Sequence, residues 1–394
     1  MSNTQTKNVP ELRFPGFEGE WEEKKLGEFC EFNNGINAKK EQYGMGRKFI
    51  NVLDILNNNF ITYENIIGKV SVPENVEKNN KVEFGDLVFL RSSETREDVG
   101  LCNVYLDKNY ALYGGFIIRG KKVSDYNPIF LKEALNIPKK RYEIGSAAGG
   151  STRFNVSQDI LRKINVKFPP IKEQQKIGDL FSKLDRQIEL EEQKLELLQQ
   201  QKKGYMQKIF SQELRFKDEN GNDYPEWTNE NFKDLFKVVP SKKYQIKSSE
   251  IIESGKIPVV DQGKKLILGF SNQTDKVYKE FNNVIIYGDH TTIIKKMDVP
   301  FIIGGDGVKL LAPISNNNLD YFFSILQYFN IESEGYKRHF SILKDKNFYT
   351  ANSNKEQQKI GCFFKSLDLI INKQFTYLEL LKSYKKGIIQ KMFV

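Results

Sequence analysis

Two polar segments follow apolar runs and are built from side chains that bond to base edges and phosphates. In the first, Phe84-Gly85-Asp86-Leu87-Val88-Phe89-Leu90 leads into Arg91-Ser92-Ser93-Glu94-Thr95-Arg96. In the second, Val284-Ile285-Ile286-Tyr287 leads into Gly288-Asp289-His290-Thr291-Thr292, with Lys295 beyond. Arginine is a bidentate donor to guanine, serine and threonine both donate and accept, and lysine sets a point charge on a phosphate. By the same chemistry Lys39, Lys40 and Arg153 join the first set, and Gln262, Lys264, Lys265 and Arg338 join the second. A solvated turn uses the same residue types, so the elements carrying these loops decide what they can do.

Catalytic chemistry has little to stand on. The sequence holds no G-x-x-x-x-G-K-[ST] phosphate loop, no G-x-G-x-x-G, no H-E-x-x-H and no C-x-x-C, and an Asn-Pro-Pro-aromatic motif for amino methylation of bases is missing. Its two histidines, His290 and His339, are far apart in sequence and have no nucleophile signature beside them. No catalytic residue and no metal ligand is therefore expected, and chemistry is assigned to a partner. Gly304-Gly305-Asp306-Gly307 is explained as a tight turn.

The elements that must position the loops are duplicated. Residues 172–210 recur without a gap at 355–393, with about half the positions identical. Glu11-Leu12-Arg13-Phe14 and Glu20-Trp21 return as Glu213-Leu214-Arg215-Phe216 and Glu226-Trp227. Each unit is a short lead-in, a variable block and a long helix. In the first helix Ile177, Phe181, Leu184, Ile188, Glu191, Leu195, Leu198, Lys202, Tyr205 and Ile209 step by four and three, the spacing of a coiled-coil seam. The second copy repeats the apolar and polar slots, with Gln374 and Lys385 where the first has Glu191 and Lys202. At ~1.5 Å per residue such a helix is a rod of about 60 Å. If the rods pair antiparallel, Glu191 would meet Lys385 and Lys202 would meet Gln374, fixing the register. Pro169 and Pro170 mark the start of the first rod and Ser353 or Asn354 caps the second, while Gly204 and Gly387 are positions where a rod could kink.

The blocks carry expected strands at 48–55, 86–90, 110–119, 257–260, 283–287 and 308–312. In both, a Gly-Gly pair precedes an apolar run and then an amphipathic helix, at 128–135 and 319–326. Beyond such marks the blocks diverge, while the rods do not.

Composition agrees with a folded protein that meets an anion. Of 394 residues 39% are apolar and 12% aromatic, and the formal net charge is +9. The excess of Lys and Arg suits nucleic acid. Cys30, Cys102 and Cys362 are odd in number and widely spaced, which favours a reducing compartment over a disulfide framework. No stretch approaches the ~18 apolar residues of a membrane span, residues 1–8 are mostly polar, and the cytoplasm is the expected location.

The lead-in Leu12-Arg13-Phe14-Pro15-Gly16-Phe17, then Glu20-Trp21, the Pro-Pro-Ile-Lys-Glu-Gln-Gln-Lys-Ile helix start, its second copy and the two unlike blocks resemble the specificity subunit of type I restriction-modification systems. The resemblance spans essentially the whole chain. It implies an α+β fold in which two target recognition domains of mixed strands and helices are separated by two long antiparallel coiled-coil helices with pseudo-two-fold symmetry. Expected boundaries are 1–170 for the N-terminal segment and first recognition domain, 171–212 for the first spacer helix, 213–350 for the second recognition domain and 351–394 for the second spacer helix. The resemblance further implies that each domain reads half of a split sequence in double-stranded DNA. Two methylation subunits, which bind S-adenosylmethionine, would dock on the chain, and two restriction subunits would complete the enzyme. No cofactor is expected in this chain itself. It departs from the pattern at 351–354, where the proline-rich start is replaced.

Overall fold

The structure, a computed structural model, describes residues 8–314, 318–335 and 337–394; apart from Asn8, the polar lead 1–8 lies outside the described residues. The chain forms two units, one from the described part of 1–192 with Tyr377–Val394, the other from Gln193–Thr376.

In the first unit the block is closed by its own ends. Strand Glu22–Lys25 pairs antiparallel with Asn165–Phe168, Glu22 opposite Phe168, and Pro169-Pro170 then releases the chain into the first rod, Ile171–Phe210. The central sheet orders Cys30–Asn34, Ile117–Lys122, Leu87–Leu90 and Cys102–Val104, all antiparallel. Leu87–Leu90 is buried at every position, as its unbroken apolar run requires. A smaller sheet joins Lys69–Val70, Tyr43–Ile50 and Leu112–Tyr113, the last pairing parallel. The expected strand at 48–55 is corrected: it ends at Ile50. The Asp54 carboxylate accepts from the Asn51 amide at 2.7 Å and starts the helix Val52–Asn57. Likewise 110–119 is two strands broken at Gly114-Gly115.

The second unit repeats the plan. Thr228–Asn231 pairs with Asn347–Thr350, and the central sheet orders Phe236–Val239, Val308–Pro313, Ile285–Gly288 and Ile294–Lys295. Ile257–Val260 lies between Gly269–Ser271 and Ile302–Ile303, again with one parallel pair. Helix Pro128–Asn136 in the first unit corresponds to Leu319–Tyr328 here.

Within each unit the rod segments are antiparallel. In the first, Phe181 packs on Phe393, Asp185 bonds Lys385 at 2.6 Å and Glu192 bonds Lys382 at 2.7 Å. In the second, Lys202 bonds Asp368 at 2.6 Å and Tyr205 packs on Phe363. The expected pairing of Lys385 with Glu191 and of Lys202 with Gln374 is therefore corrected. The seam involves a third helix. Lys385 also reaches Glu133 in Pro128–Asn136 at 3.4 Å, and Lys202 reaches Gln327 in Leu319–Tyr328 at 3.1 Å. A register derived from two helices omits those acceptors.

The shared rod start is a joint between lead-in, block and rod. Buried Glu173 holds the Arg13 guanidinium through two bonds of 2.8 Å, and Glu356 holds Arg215 at 3.2–3.3 Å. The side-chain Nε2 of Gln174 donates to Pro169 O and that of Gln357 to Ala351 O. A Cβ on Gly178 would lie 2.2 Å from Asn127 Oδ1, the atom that caps Pro128–Asn136 by accepting from Phe130 N. A Cβ on Gly361 would lie 2.8 Å from Tyr321 N at the start of the corresponding helix. Gly204 and Gly387 differ: the rods continue unbroken through both, and a Cβ added at either would meet open space, with nothing within 4 Å. Gly178→Ala is accordingly expected to destabilise the first unit by ~1–3 kcal/mol through overpacking and a disturbed cap. Gly204→Ala should instead stabilise by up to ~1 kcal/mol, the ordinary helical preference. Denaturant unfolding of both variants checks the difference in sign.

Candidate nucleic-acid interface

Both candidate loops leave the same place in the central sheet, the end of its third strand in the order given above. Arg91 follows Leu87–Leu90, and Asp289 follows Ile285–Gly288. Each loop lies against the turn made by a Gly-Gly pair.

In the first unit Arg91 donates from its amide to Phe116 O at 2.8 Å and from Nη1 to Gly115 O at 3.2 Å. Gly115 is required by close approach, since a Cβ there would lie 1.9 Å from Asn37 Oδ1. The segment leading away from that contact brings Lys39 and Lys40, both exposed, into the short turn Lys40–Gln42. Ser92–Ser93 pairs with Phe154–Asn155, which draws Arg153 to the loop. Exposed Thr95 bonds Asp98 at 2.7 Å. Arg96 donates to Gly145 O at 3.0 Å, with its guanidinium 4.3 Å over the Phe154 ring. The exposed Arg153 guanidinium lies 5.9 Å over Phe116. Arg91, Ser92, Ser93, Arg96 and Arg153 thus form one cluster. Arg141 braces it by donating to Glu97 O and Val99 O, both at 2.7 Å.

In the second unit Gln262 is the hub. Its Oε1 accepts from the His290 amide at 3.0 Å, its carbonyl accepts from the Thr291 hydroxyl, and His290 Nδ1 meets Lys337 O at 3.2 Å, next to exposed Arg338. Lys264 and Lys265 are exposed on the adjoining turn. Two candidates face inward and are corrected. Thr292 is buried with a left-handed φ of 56°. Lys295 is buried, its ammonium held by Asp261 O at 3.0 Å, by the Asp261 carboxylate at 3.3 Å and by Lys265 O, so it fastens the loop instead of offering a charge. Burial pushes the Lys295 pKa down and the Asp261 carboxylate opposes this.

His339 orders this loop from within the core. It is fully buried; its amide donates to Asp289 O at 2.7 Å, and the Glu334 amide donates to its Nε2 at 3.0 Å. Nε2 must then carry the lone pair, which leaves the ring proton on Nδ1 to donate to Asp289 O at 3.2 Å. Asp289 in turn accepts from the Phe340 amide at 3.0 Å. This histidine is a structural strut.

Among the described residues no group of His, Cys, Asp and Glu could hold a metal ion, and no helix is long and apolar enough to cross a membrane.

Comparison with known proteins converges on one family. The type I restriction modification DNA specificity domain matches residues 18–200 and again 224–380, one match per unit of the repeat. The putative type I restriction enzyme MjaX specificity subunit of Methanocaldococcus jannaschii is 23% identical over 221 residues, 54% of this chain and 48% of that protein. The EcoR124I/EcoR124II specificity subunit of Escherichia coli is 31% identical over 85 residues, 21% of each chain. The matched region thus spans about half the length of the first of these relatives, and less of the second. The crystal structure of the type I restriction-modification S subunit from M. genitalium superposes with a TM-score of 0.66 at 16% identity, covering 98% of this chain and 99% of that one, which shows a shared fold. Two unlike blocks, each closed onto a repeated rod and each matched by the same family, make this chain a member of the type I restriction modification DNA specificity domain family.

Proposed function

We propose that the chain is the DNA-reading subunit of a type I restriction-modification complex, in which each block reads one half of a bipartite target in double-stranded DNA. The observation that carries this reading is that two divergent polar loops leave the same strand of the same sheet in both units, while the joints at the two rod starts are alike. A scaffold held fixed with its loops free to vary is what two different half-sites require. Arg91, Arg96 and Arg153, with Lys39 and Lys40, would serve the first half-site; Gln262, His290, Thr291, Lys264, Lys265 and Arg338 would serve the second. The net charge of +9 favours the phosphate backbone. The domain boundaries given above go with this reading, and the rods would set the spacing between half-sites. Exposed Leu380 and Tyr384 in the first unit, and exposed Leu369, Ile370 and Phe375 in the second, each leave apolar surface on the rod segment for a partner to cover, which suits docking of methylation subunits. Those two subunits would bind S-adenosylmethionine and supply the chemistry. Two restriction subunits would complete the enzyme, in the cytoplasm.

The test is a map of methylated positions in DNA from cells holding the partner subunits, with and without this chain. A bipartite motif should appear only with it. Four residues added to a rod lengthen it by ~6 Å. At ~3.4 Å per base pair this should change the spacer by one or two base pairs and leave both half-sites unaltered. Altered half-sites would contradict the spacer role.

A further inference from the structure

Phe116 is a large apolar side chain in the middle of the first polar cluster, and it is 57% exposed. Its backbone is held on both sides. Phe116 O accepts from Arg91 N at 2.8 Å, Gly115 N donates to Ile36 O at 2.9 Å, and Ile117 N donates to Gly114 O at 2.9 Å. A ring so exposed on so fixed a backbone loses little freedom when something covers it. Its neighbours narrow the occupant. Arg91 is anchored through Gly115 O beside it, and Arg153 lies 5.9 Å over one face. A wedge between base steps needs an unobstructed ring. A ring with a cation over one face keeps its other face and its edge, which suit a small apolar group between the hydrogen-bonding groups of a base edge. The major groove presents one such group, the C5-methyl of thymine.

The second unit has no counterpart. There the Gly-Gly turn continues into Asp306 and Gly307, and the Asp306 carboxylate accepts from Gln245 Nε2 at 2.9 Å. At this turn an apolar contact is therefore offered by the first unit and not by the second.

We propose that Phe116 is a specificity-determining residue that contacts a thymine methyl in the half-site read by the first block, between bases or phosphates bound by Arg91 and Arg153. The proposal rests on the DNA-reading function above and names one base that the site selects.

The experiment uses the chain in complex with its methylation subunits. The methylation map first defines both half-sites; if no motif depends on the chain, the DNA-reading function itself fails and the proposal falls with it. With the motif in hand, each thymine of both half-sites is replaced in turn by deoxyuridine, which removes only the methyl, and binding is measured for the wild type, Phe116→Ala and Phe116→Leu. At one thymine of the first half-site the wild type should lose about fourfold in affinity, the equivalent of ~0.8 kcal/mol for one buried methyl. Phe116→Ala should be indifferent to the same methyl, and Phe116→Leu should keep part of the discrimination. Should Phe116→Ala not fold, the wild-type scan and the leucine variant carry the comparison. A first half-site without an A·T pair, an equal methyl effect in wild type and variants, or a loss spread evenly over all positions would overturn the assignment while leaving the DNA-reading function standing.

Discussion

Arg13→Ala is expected to destabilise the first unit by ~3–5 kcal/mol, because it leaves a carboxylate buried without its cation. Glu173 has no exposed side-chain surface and the Arg13 side chain only 12%, so solvent does little to screen the pair. The fork is bidentate, and the same guanidinium donates to Gly19 O at 2.6 Å, tying the lead-in to the rod start. The hydrogen bond to Glu173 raises the Arg13 pKa above its ordinary value, consistent with a cation stabilised where it stands. Arg13→Lys should recover only part of the loss, since an ammonium cannot make two parallel bonds. The second clamp is looser, at 3.2–3.3 Å, and burial pushes the Glu356 pKa up against the opposing effect of Arg215. Arg215→Ala should therefore cost less. Because two units need not unfold together, the readout is amide hydrogen exchange. Arg13→Ala should lower protection in Glu22–Lys25 and Asn165–Phe168, and Arg215→Ala in Thr228–Asn231 and Asn347–Thr350. A loss under ~1 kcal/mol at Arg13 would class the clamp with exposed ion pairs.

This clamp shows what the sequence could and could not disclose. Arg13 and Glu173 both lie in motifs that recur, and recurrence alone marks them as belonging to one device. Their contact spans 160 positions, and no periodicity reports a distance of that kind. The rods were legible as long helices, with ends two or three residues from those expected at 212, 351 and 394, because a seam repeated over forty positions leaves few alternatives. The strand at 48–55 was not, because Lys48 to Ile50 and Val52 to Ile55 are similarly apolar and only the Asn51 to Asp54 bond divides them. Among the candidate contacts, Arg91, Arg153 and Gln262 come to the expected loop clusters, since each stands beside a strand end or a short pairing. Lys295 has the composition of a surface lysine and is buried by an acceptor set from Asp261 and Lys265, some thirty positions earlier. The roles of Gly178 and Gly361 also depend on the third helix, although both glycines stand in the repeated Lys-Ile-Gly.

Lys385→Met is expected to be as damaging as the loss of Arg13, ~3–5 kcal/mol, because it unbalances a buried set of four charges. Lys132 and Glu133 bond at 2.7 Å, and Lys385 joins Glu133 to Asp185. The side chains of Glu133 and Asp185 are only 5% and 4% exposed, so neither carboxylate can turn to water when Lys385 is removed. Burial pushes the Glu133 pKa up, yet Lys132 and Lys385 together hold it below its ordinary value. A carboxylate with a lowered folded pKa contributes stability that is full above its unfolded value and lost as pH falls through its folded one, so acid should weaken the wild type at this joint. Lys385→Met with Asp185→Leu removes one charge of each sign and leaves Lys132 with Glu133, so the double variant should regain most of the loss in denaturant unfolding. Lys385→Met with Glu191→Leu, the partner expected from a two-helix seam, should regain none. Lys202→Met is expected to cost less, ~1–2 kcal/mol, because Asp368 is 32% exposed and Gln327 is neutral, so what remains is better solvated and carries less charge. Equal losses at the two lysines would mean that the seam, and not the charge on the block helix, governs the joint; recovery by Glu191→Leu would restore the two-helix register.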